Sequence, residues 1–89
     1  IKVTDISHKD NYIVREYIIL KVGLTPRTRA EVLDLMRVFG AKPIDLATDH
    51  LIMELAGHVR KIDRFIELLK PYGIEEYVRS GGFAMTEYN

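Results

Sequence analysis

The segment between Glu54 and Ile74 constrains the fold more than any other part of this chain. It begins with the end of an apolar run, turns at Gly57, and continues into an amphipathic helix. The apolar positions of that helix recur at helical spacing, at Ile62, Phe65, Ile66 and Leu69. Pro71 and Gly73 then end the helix before another strand begins. The segment predicts strand, turn, helix and strand, and it carries no set of catalytic residues.

A strand and a helix also precede this segment. Tyr12 to Val22 gives the strongest strand signal, because β-branched and aromatic residues are frequent in it. Gly23 ends the strand. The apolar positions of the helix that follows are Val32, Leu35, Met36 and Phe39. Gly40 favours the left-handed backbone conformation, and we expect it to end that helix.

The start of this first helix has two candidate caps. Thr28 and Glu31 have the spacing of a capping box, in which each side chain accepts a hydrogen bond from the other residue's backbone N–H. Pro26 lies just upstream of Thr28, and Thr25 is the alternative cap.

The remaining elements complete a known order. Lys42 to Ala47 and Leu51 to Ala56 predict a hairpin, Ile74 to Arg79 the next strand, and Phe83 to Asn89 an added edge strand. The order β-α-β-β-α-β is typical of ferredoxin-like, or ACT-like, α+β domains. We therefore expect an antiparallel four-stranded sheet with two helices on one face and the other face open.

Composition excludes several classes of function. The chain has 89 residues, enough for one small domain, and 13 basic and 13 acidic residues give a formal net charge of +0. We expect no nucleic-acid partner, since such proteins usually carry a basic excess. The sequence has no cysteine, which fits a cytoplasmic location, and no apolar run long enough to cross a membrane.

The residues that could carry chemistry are few and scattered. The histidines are His8, His50 and His58, and no two have metal-ligand spacing. Neither Ser7 nor Ser80 lies in a pattern typical of a nucleophile. We therefore expect no catalytic residue, no metal site and no bound cofactor.

The beginning of the second helix offers an anion-site hypothesis. Gly57 precedes the helix, and Lys61 and Arg64 add positive charge near N–H groups that could hold a phosphate. The alternative is an ordinary solvated helix face, on which Asp63 and Glu67 pair with these cations.

The open sheet face is the strongest candidate for function. Side chains alternate between the two faces of a strand, so Ile18, Leu20 and Val22 would point to the helices. Tyr17 and Ile19 would then lie on the open face, where an apolar surface is typical of an interface. The alternative is that a terminal tail of the chain covers this face.

The last strand contributes to the same prediction with an ambiguity. Simple alternation puts Tyr77 and Arg79 on one face and Ile74 and Glu76 on the other. Because Ile74 suits the core and Glu76 does not, the pattern leaves the orientation of this strand open. The predicted partner or self-association face consists of Tyr17, Ile19, Tyr77 and Arg79.

An ordered set of short motifs carries a resemblance to a known family. The motifs are Arg15-Glu16, Phe39-Gly40-Ala41-Lys42, Ile44-Asp45-Leu46, Glu54-Leu55-Ala56-Gly57, Lys61-Ile62-Asp63, Phe65-Ile66, Leu69, Lys70-Pro71, Gly73-Ile74, Glu76 and Arg79-Ser80-Gly81. Together they resemble the C-terminal domain of the small, regulatory subunit of acetolactate synthase. The resemblance runs from about Arg15 to Met85. Two departures are Ser80, where the family leads us to expect threonine, and a tail without a basic ending.

The resemblance implies a role and a domain division. Residues 1–11 would be the end of a preceding ACT domain and a linker, and residues 12–89 the C-terminal domain. The family's small subunit is noncatalytic and binds the catalytic subunit, which carries thiamine diphosphate, magnesium and flavin. It confers feedback inhibition by branched-chain amino acids, chiefly valine, through the ACT domain, so no effector residue is assigned here.

From this resemblance we expect a noncatalytic domain of branched-chain amino acid biosynthesis that associates with itself, as a homodimer, and with the catalytic subunit. The alternative is a standalone sensor domain that holds an amino acid or a nucleotide at a dimer interface.

Overall fold

The computed structural model describes residues 12–81 and 83–86, so the predicted domain end and linker at residues 1–11 lie outside the described residues. The strands are β1 Tyr12–Gly23, β2 Lys42–Leu46, β3 His50–Gly57, β4 Ile74–Arg79 and β5 Phe83–Thr86. The helices are α1 Arg29–Phe39 and α2 Val59–Leu69, and a 3₁₀ turn, Lys70–Tyr72, follows α2.

The architecture is the predicted ferredoxin-like one. The main sheet has the strand order β2-β3-β1-β4, and every neighbouring pair is antiparallel. Helix α2 packs on β1 and β3, while α1 packs on α2 and β2. Because the helices cover one face, the two long central strands bury alternate residues.

The core lies between the sheet and the helices. The strands contribute Ile18, Leu20, Val22, Leu51, Met53 and Leu55, and the helices contribute Val32, Met36, Phe39, Ile62, Phe65, Ile66 and Leu69. The rings of Phe39 and Phe65 lie 5.0 Å apart at 40°, which joins α1 to α2. This tilted arrangement is one that aromatic pairs favour. The apolar spacing predicted for both helices therefore marks their buried sides.

The start of α1 corrects the predicted capping box, because Thr28 precedes the helix but its side chain makes no capping hydrogen bond to it. Thr28 does not cap through Glu31. Instead, the Thr28 backbone N–H donates to the Thr25 hydroxyl at 3.1 Å, and the Thr25 N–H donates to the Thr28 hydroxyl at 3.2 Å. Glu31 accepts from the Tyr72 hydroxyl at 2.8 Å, which ties α1 to the turn after α2. The reciprocal pair of a capping box forms three residues earlier than Thr28 and Glu31 predict, with Pro26 inside its first turn.

The predicted edge strand after β4 is present as β5. It pairs with Tyr12–Arg15, the part of β1 that extends beyond β3 and β4. Where β4 ends, the Ser80 N–H donates to the Tyr17 carbonyl at 2.9 Å, and the Tyr17 N–H donates to the Ser80 hydroxyl at 2.9 Å. The hydroxyl takes the place of a ladder carbonyl because the backbone turns at Gly81, whose φ is +82°. A threonine hydroxyl could make the same bond.

Candidate functional site

A bulge in β4 decides which of its side chains reach the open face. Against β1, Val22 pairs with Ile74 but the preceding Lys21 pairs with Glu76, so Glu75 is the extra residue. The bulge lets Ile74 pack against the core while Glu76 points to the open face. It resolves the conflict between Ile74 and Glu76 that simple alternation could not resolve.

The bulge also shows that two of the four residues predicted for the association face, Tyr77 and Arg79, lie on the other face of the sheet. Tyr77 lies opposite Leu20 and Arg79 opposite Ile18, and both of those β1 residues are buried under the helices. Directly paired residues share a face, so Tyr77 and Arg79 lie on the helix side of the sheet. Their grouping with Tyr17 and Ile19 on one face is wrong.

Tyr77 remains accessible on the helix side. Its residue surface is 50% exposed, because β4 is an edge strand of the main sheet. It borders a shallow depression with Ile66 and Lys70. Tyr77 thus lies on the helix side of the sheet, at its exposed edge.

Arg79 is held inside the fold by two carboxylates. Its Nε donates to Glu16 Oε2 at 2.9 Å, and its Nη2 donates to the other Glu16 oxygen and to Asp63 Oδ1, the latter at 2.8 Å. These bonds, led by that with Glu16, raise the pKa of Arg79. Glu16 is the one polar or charged residue counted as buried in the described chain. The network ties β1, β4 and α2 together, and sequence reasoning missed it because its members are far apart in the chain.

The open face has an apolar centre formed by three strands. Ile19 of β1 lies beside Val78 of β4, and Ile52 of β3 lies beside Lys21 in the next row. Ile19, Ile52 and Val78 line a shallow depression together. Val78 is 67% exposed, which is high for a β-branched residue in a strand. The predicted site residue Ile19 therefore lies at the centre of an exposed apolar surface.

The sequence analysis did not include Ile52 and Val78 in the association face, although the sequence indicates the orientation of Ile52. Leu51, Met53 and Leu55 alternate as core residues, so Ile52 between them had to face away from the helices. Val78 could be placed only once the bulge was known.

Tyr17 lies at one end of the apolar centre and is fixed there. Its hydroxyl donates to Glu54 Oε1 at 2.6 Å, and Glu54 lies beside Ile19 on the neighbouring strand. The hydrogen bond to Glu54 is the main cause of the raised pKa of Tyr17. The bond orients a ring that is 40% exposed, so Tyr17 presents apolar area with its polar end already satisfied.

Charged side chains of both signs surround the apolar centre. Lys21 lies beside Glu76 and is 3.6 Å from Glu75, and Lys42 lies beside Glu54. The charges named are two lysines and three glutamates, so both signs are present around the centre. Such a surface suits a protein partner better than a nucleic acid, because an apolar centre with a polar rim is the usual anatomy of a protein interface.

The start of α2 brings Gly57 and Lys61 together, but most of its N–H groups have partners. A Cβ on Gly57 would lie 3.3 Å from Lys61 Cδ, so the lysine stem covers the glycine. His58 Nδ1 accepts from the Arg60 N–H at 3.0 Å, and the His58 carbonyl accepts from two further N–H groups. Arg64 is exposed one turn further along α2. The anion site stays a prediction, at a terminus that is already capped.

His50 lies between two carboxylates where β3 begins. Its Nε2 is 3.1 Å from Asp45 Oδ2, and its Nδ1 is 3.0 Å from Asp49 Oδ1. These contacts, led by that with Asp45, raise the pKa of His50. The carboxylates contact opposite ring nitrogens, so they do not share one point at which a metal ion could bind. Among residues 12–81 and 83–86, no group of three or more potential ligands could hold a metal.

The described helices are all too short or too polar to cross a membrane.

Comparison with known proteins finds a family model and relatives that match this chain. The family model described as the small subunit of acetolactate synthase matches residues 15–88. The acetolactate synthase small subunit of Bacillus subtilis is 40% identical over 86 residues, covering 97% of this chain and 49% of that protein. A probable acetolactate synthase small subunit of Archaeoglobus fulgidus is 35% identical over 89 residues, covering 100% of this chain and 55% of that protein.

A solved structure agrees with the sequence comparisons. The crystal structure of the acetolactate synthase small subunit from Thermotoga maritima superposes with a TM-score of 0.84 at 32% identity. The match covers 92% of this chain and 50% of that one. This chain thus spans about half the length of the relatives it matches.

Proposed function

The chain belongs to the family of acetolactate synthase small subunits, and from this premise we propose that it is a noncatalytic domain that associates with the catalytic subunit. The family match favours this role over a standalone sensor of amino acids or nucleotides. We also propose that the domain associates with a second copy of itself.

The observation that carries the proposal is the apolar centre of the open sheet face. Ile19, Ile52 and Val78 form it, and their side chains gain nothing from exposure to water. Burying each of them could contribute roughly 1.5–3 kcal/mol before the cost of association is subtracted. A face of this kind suits a protein whose work is binding.

The division of labour with the rest of the protein follows the family. Residues 12–89 would form the C-terminal domain, and residues 1–11 the end of an ACT domain and a linker. Feedback inhibition by a valine-type effector would act through that ACT domain, in the cytoplasm. Valine is therefore expected to give no binding heat with this 89-residue chain in titration calorimetry, and heat at micromolar to millimolar valine would overturn the assignment.

Capture of a catalytic subunit tests the main proposal. The immobilised 89-residue chain should retain the acetolactate synthase catalytic subunit from the same organism, and alone it should show no turnover of pyruvate. The Ile52→Asp variant places a charge in the apolar centre, which is assigned to self-association, and shows whether the same face is also required to retain the catalytic subunit. Val38→Asp, at a 78% exposed position on α1, is the matched control. Failure of the unmodified chain to retain the catalytic subunit would contradict the proposal.

A further inference from the structure

The hairpin formed by β2 and β3 holds one histidine ring between two carboxylates from different parts of the hairpin. His50 Nε2 is 3.1 Å from Asp45 Oδ2, and His50 Nδ1 is 3.0 Å from Asp49 Oδ1. Asp45 belongs to the edge strand β2, whereas Asp49 belongs to the turn that precedes β3. The ring therefore forms a bridge from the edge strand to the turn.

Only the charged ring can donate a hydrogen bond to both carboxylates. An ionised carboxylate is an acceptor alone, and a neutral imidazole carries one N–H and one lone pair. A neutral His50 can therefore bond one of the two aspartates, while its other nitrogen presents a lone pair to the second. The imidazolium carries an N–H on each nitrogen and satisfies both. The complete bridge thus exists only while His50 is protonated.

The other charged groups around the ring leave this balance in place. Lys21 of β1 lies on the same face of the sheet and lowers the pKa of His50, but the contacts with the two aspartates outweigh it and raise that pKa. Glu75 Oε1 of β4 is 3.6 Å from Lys21 Nζ, so it offsets the lysine charge. Arg29 of α1 reaches the turn, where it donates to the Thr48 carbonyl at 2.8 Å rather than to either aspartate.

β2 is the element on which loss of the bridge should act. All five of its residues are exposed, and a bulge at Ile44 interrupts its pairing with β3 just before Asp45. Beyond the strand, the Ala47 N–H donates to the His50 carbonyl at 2.9 Å and closes the turn. Short exposed segments open with a low free energy, so one bridge can change how well this strand is ordered.

We propose that His50 is a proton-operated clasp on the hairpin: the charged ring holds β2 against the turn, and the neutral ring releases one aspartate and loosens β2. The step transfers one proton from the ring to water and breaks one hydrogen bond. Its effect reaches the open sheet face, because Asp45 lies beside Ile52 of the apolar centre. The β2 side of that face is then better ordered at acid pH than at alkaline pH.

NMR of the imidazole nitrogens tests the clasp in the 89-residue chain. Both His50 nitrogens should carry a proton at about pH 6, and the midpoint of titration should lie above the ordinary value of about 6.5. Asp45→Asn and Asp49→Asn should each lower the midpoint, because each removes the charge that one N–H meets. A midpoint at or below the ordinary value, or one that neither replacement moves, overturns the clasp.

Hydrogen exchange tests whether the clasp orders β2. The folded-state pKa is raised, so the bridge is complete below the ordinary pKa and is lost as the pH rises through the folded value. Protection factors of the β2 amides bonded to β3 should therefore fall at least about threefold between about pH 6 and about pH 8. The effect is modest because both aspartates are largely exposed. Protection of residues 18–22 in the core of β1 should stay unchanged.

Two variants make this exchange experiment specific to the ring. His50→Gln should show the lower protection of β2 at both pH values, without the fall between them. If that variant does not fold, Asp45→Asn replaces it, since Asp45 is exposed and keeps its shape. Asp34→Asn removes a carboxylate from an exposed ion pair on α1 and is the matched control, which should behave like the unmodified chain.

The outcomes decide between a clasp and ordinary surface contacts. A raised midpoint together with a fall in β2 protection that His50→Gln abolishes supports the clasp. A raised midpoint without that fall, or a fall that persists in folded His50→Gln, overturns it. Neither result depends on what the open face binds, so the proposed function keeps its own test.

Discussion

The two faces of strand β1 differ although alternating residues of one short sequence form them. Ile18, Leu20 and Val22 are almost completely buried beneath the helices, whereas Tyr17 and Ile19 on the other side are only partly covered. Both faces are apolar at their centres. They differ in whether this chain supplies the covering layer.

The helix-covered face is complete within the chain. Its buried carboxylate, Glu16, is paired by Arg79, and in the described part of the molecule no buried side-chain nitrogen or oxygen lacks a hydrogen-bond partner. The open face instead leaves Val78 exposed and Ile19 and Ile52 only half-buried. The first face therefore determines stability, and the second determines association. Substitutions on the two faces should separate these properties.

The largest effect on stability is expected in the core of the covered face. Phe65 is fully buried and packs against Phe39, so Phe65→Ala should lower the free energy of unfolding by about 3–5 kcal/mol. Leu68→Ala on the exposed side of the same helix should cost less than about 1 kcal/mol. Urea unfolding measures both, and equal costs for the two variants would mean that the buried side of α2 is misassigned.

A smaller loss is expected from the paired carboxylate of the same face. Glu16→Gln keeps the shape but removes the charge that Arg79 meets, and should cost about 2 kcal/mol, less than a fully buried pair because Arg79 is partly exposed. Asp63→Asn, at the exposed end of the network, should cost under about 1 kcal/mol. Chemical denaturation of both variants gives the comparison. A neutral Glu16→Gln would show that the network contributes little to the fold.

A pH dependence is expected at the start of β3, where His50 lies. Asp45 and Asp49 raise the folded-state pKa of His50, while Lys21 opposes them. Stability from His50 is therefore complete below its unfolded pKa of about 6.5 and is lost as the pH rises through the higher folded value. Unfolding at about pH 6 and at about pH 8 should show a decline that His50→Gln reduces. An unchanged decline in that variant would assign it to other groups.

The sequence predicted the elements of this fold because each has a local signal. Apolar spacing located α1 and α2, and the left-handed conformation of Gly40, with φ of +75°, ends α1 as expected. The sequence left the choice between Thr25 and Thr28 as the cap of α1 open, because both threonines have suitable spacing. The cap at His58 was missed because histidine is uncommon at that position.

Only half of the candidate site could be predicted from the sequence, because β1 follows simple alternation and β4 does not. Alternation places Tyr17 and Ile19 correctly because β1 is long and regular between Glu16 and Val22. In β4, one extra residue at Glu75 exchanges the faces of everything that follows it relative to simple alternation from Ile74. A single-residue shift has no composition signal in so short a strand. The pairing of Arg79 with Glu16 depends on that shift and was hidden with it.

The most direct test of the account compares adjacent residues on the two faces of β1. Ile19→Asp should be monomeric in sedimentation velocity and keep the circular dichroism spectrum of the unmodified chain, because it changes only the association face. Ile18→Asp should fail to fold, because it places a charge in the core. The unmodified chain should be a dimer. A folded Ile19→Asp chain that still forms the dimer with unchanged affinity would contradict the claim that the open face is the association surface.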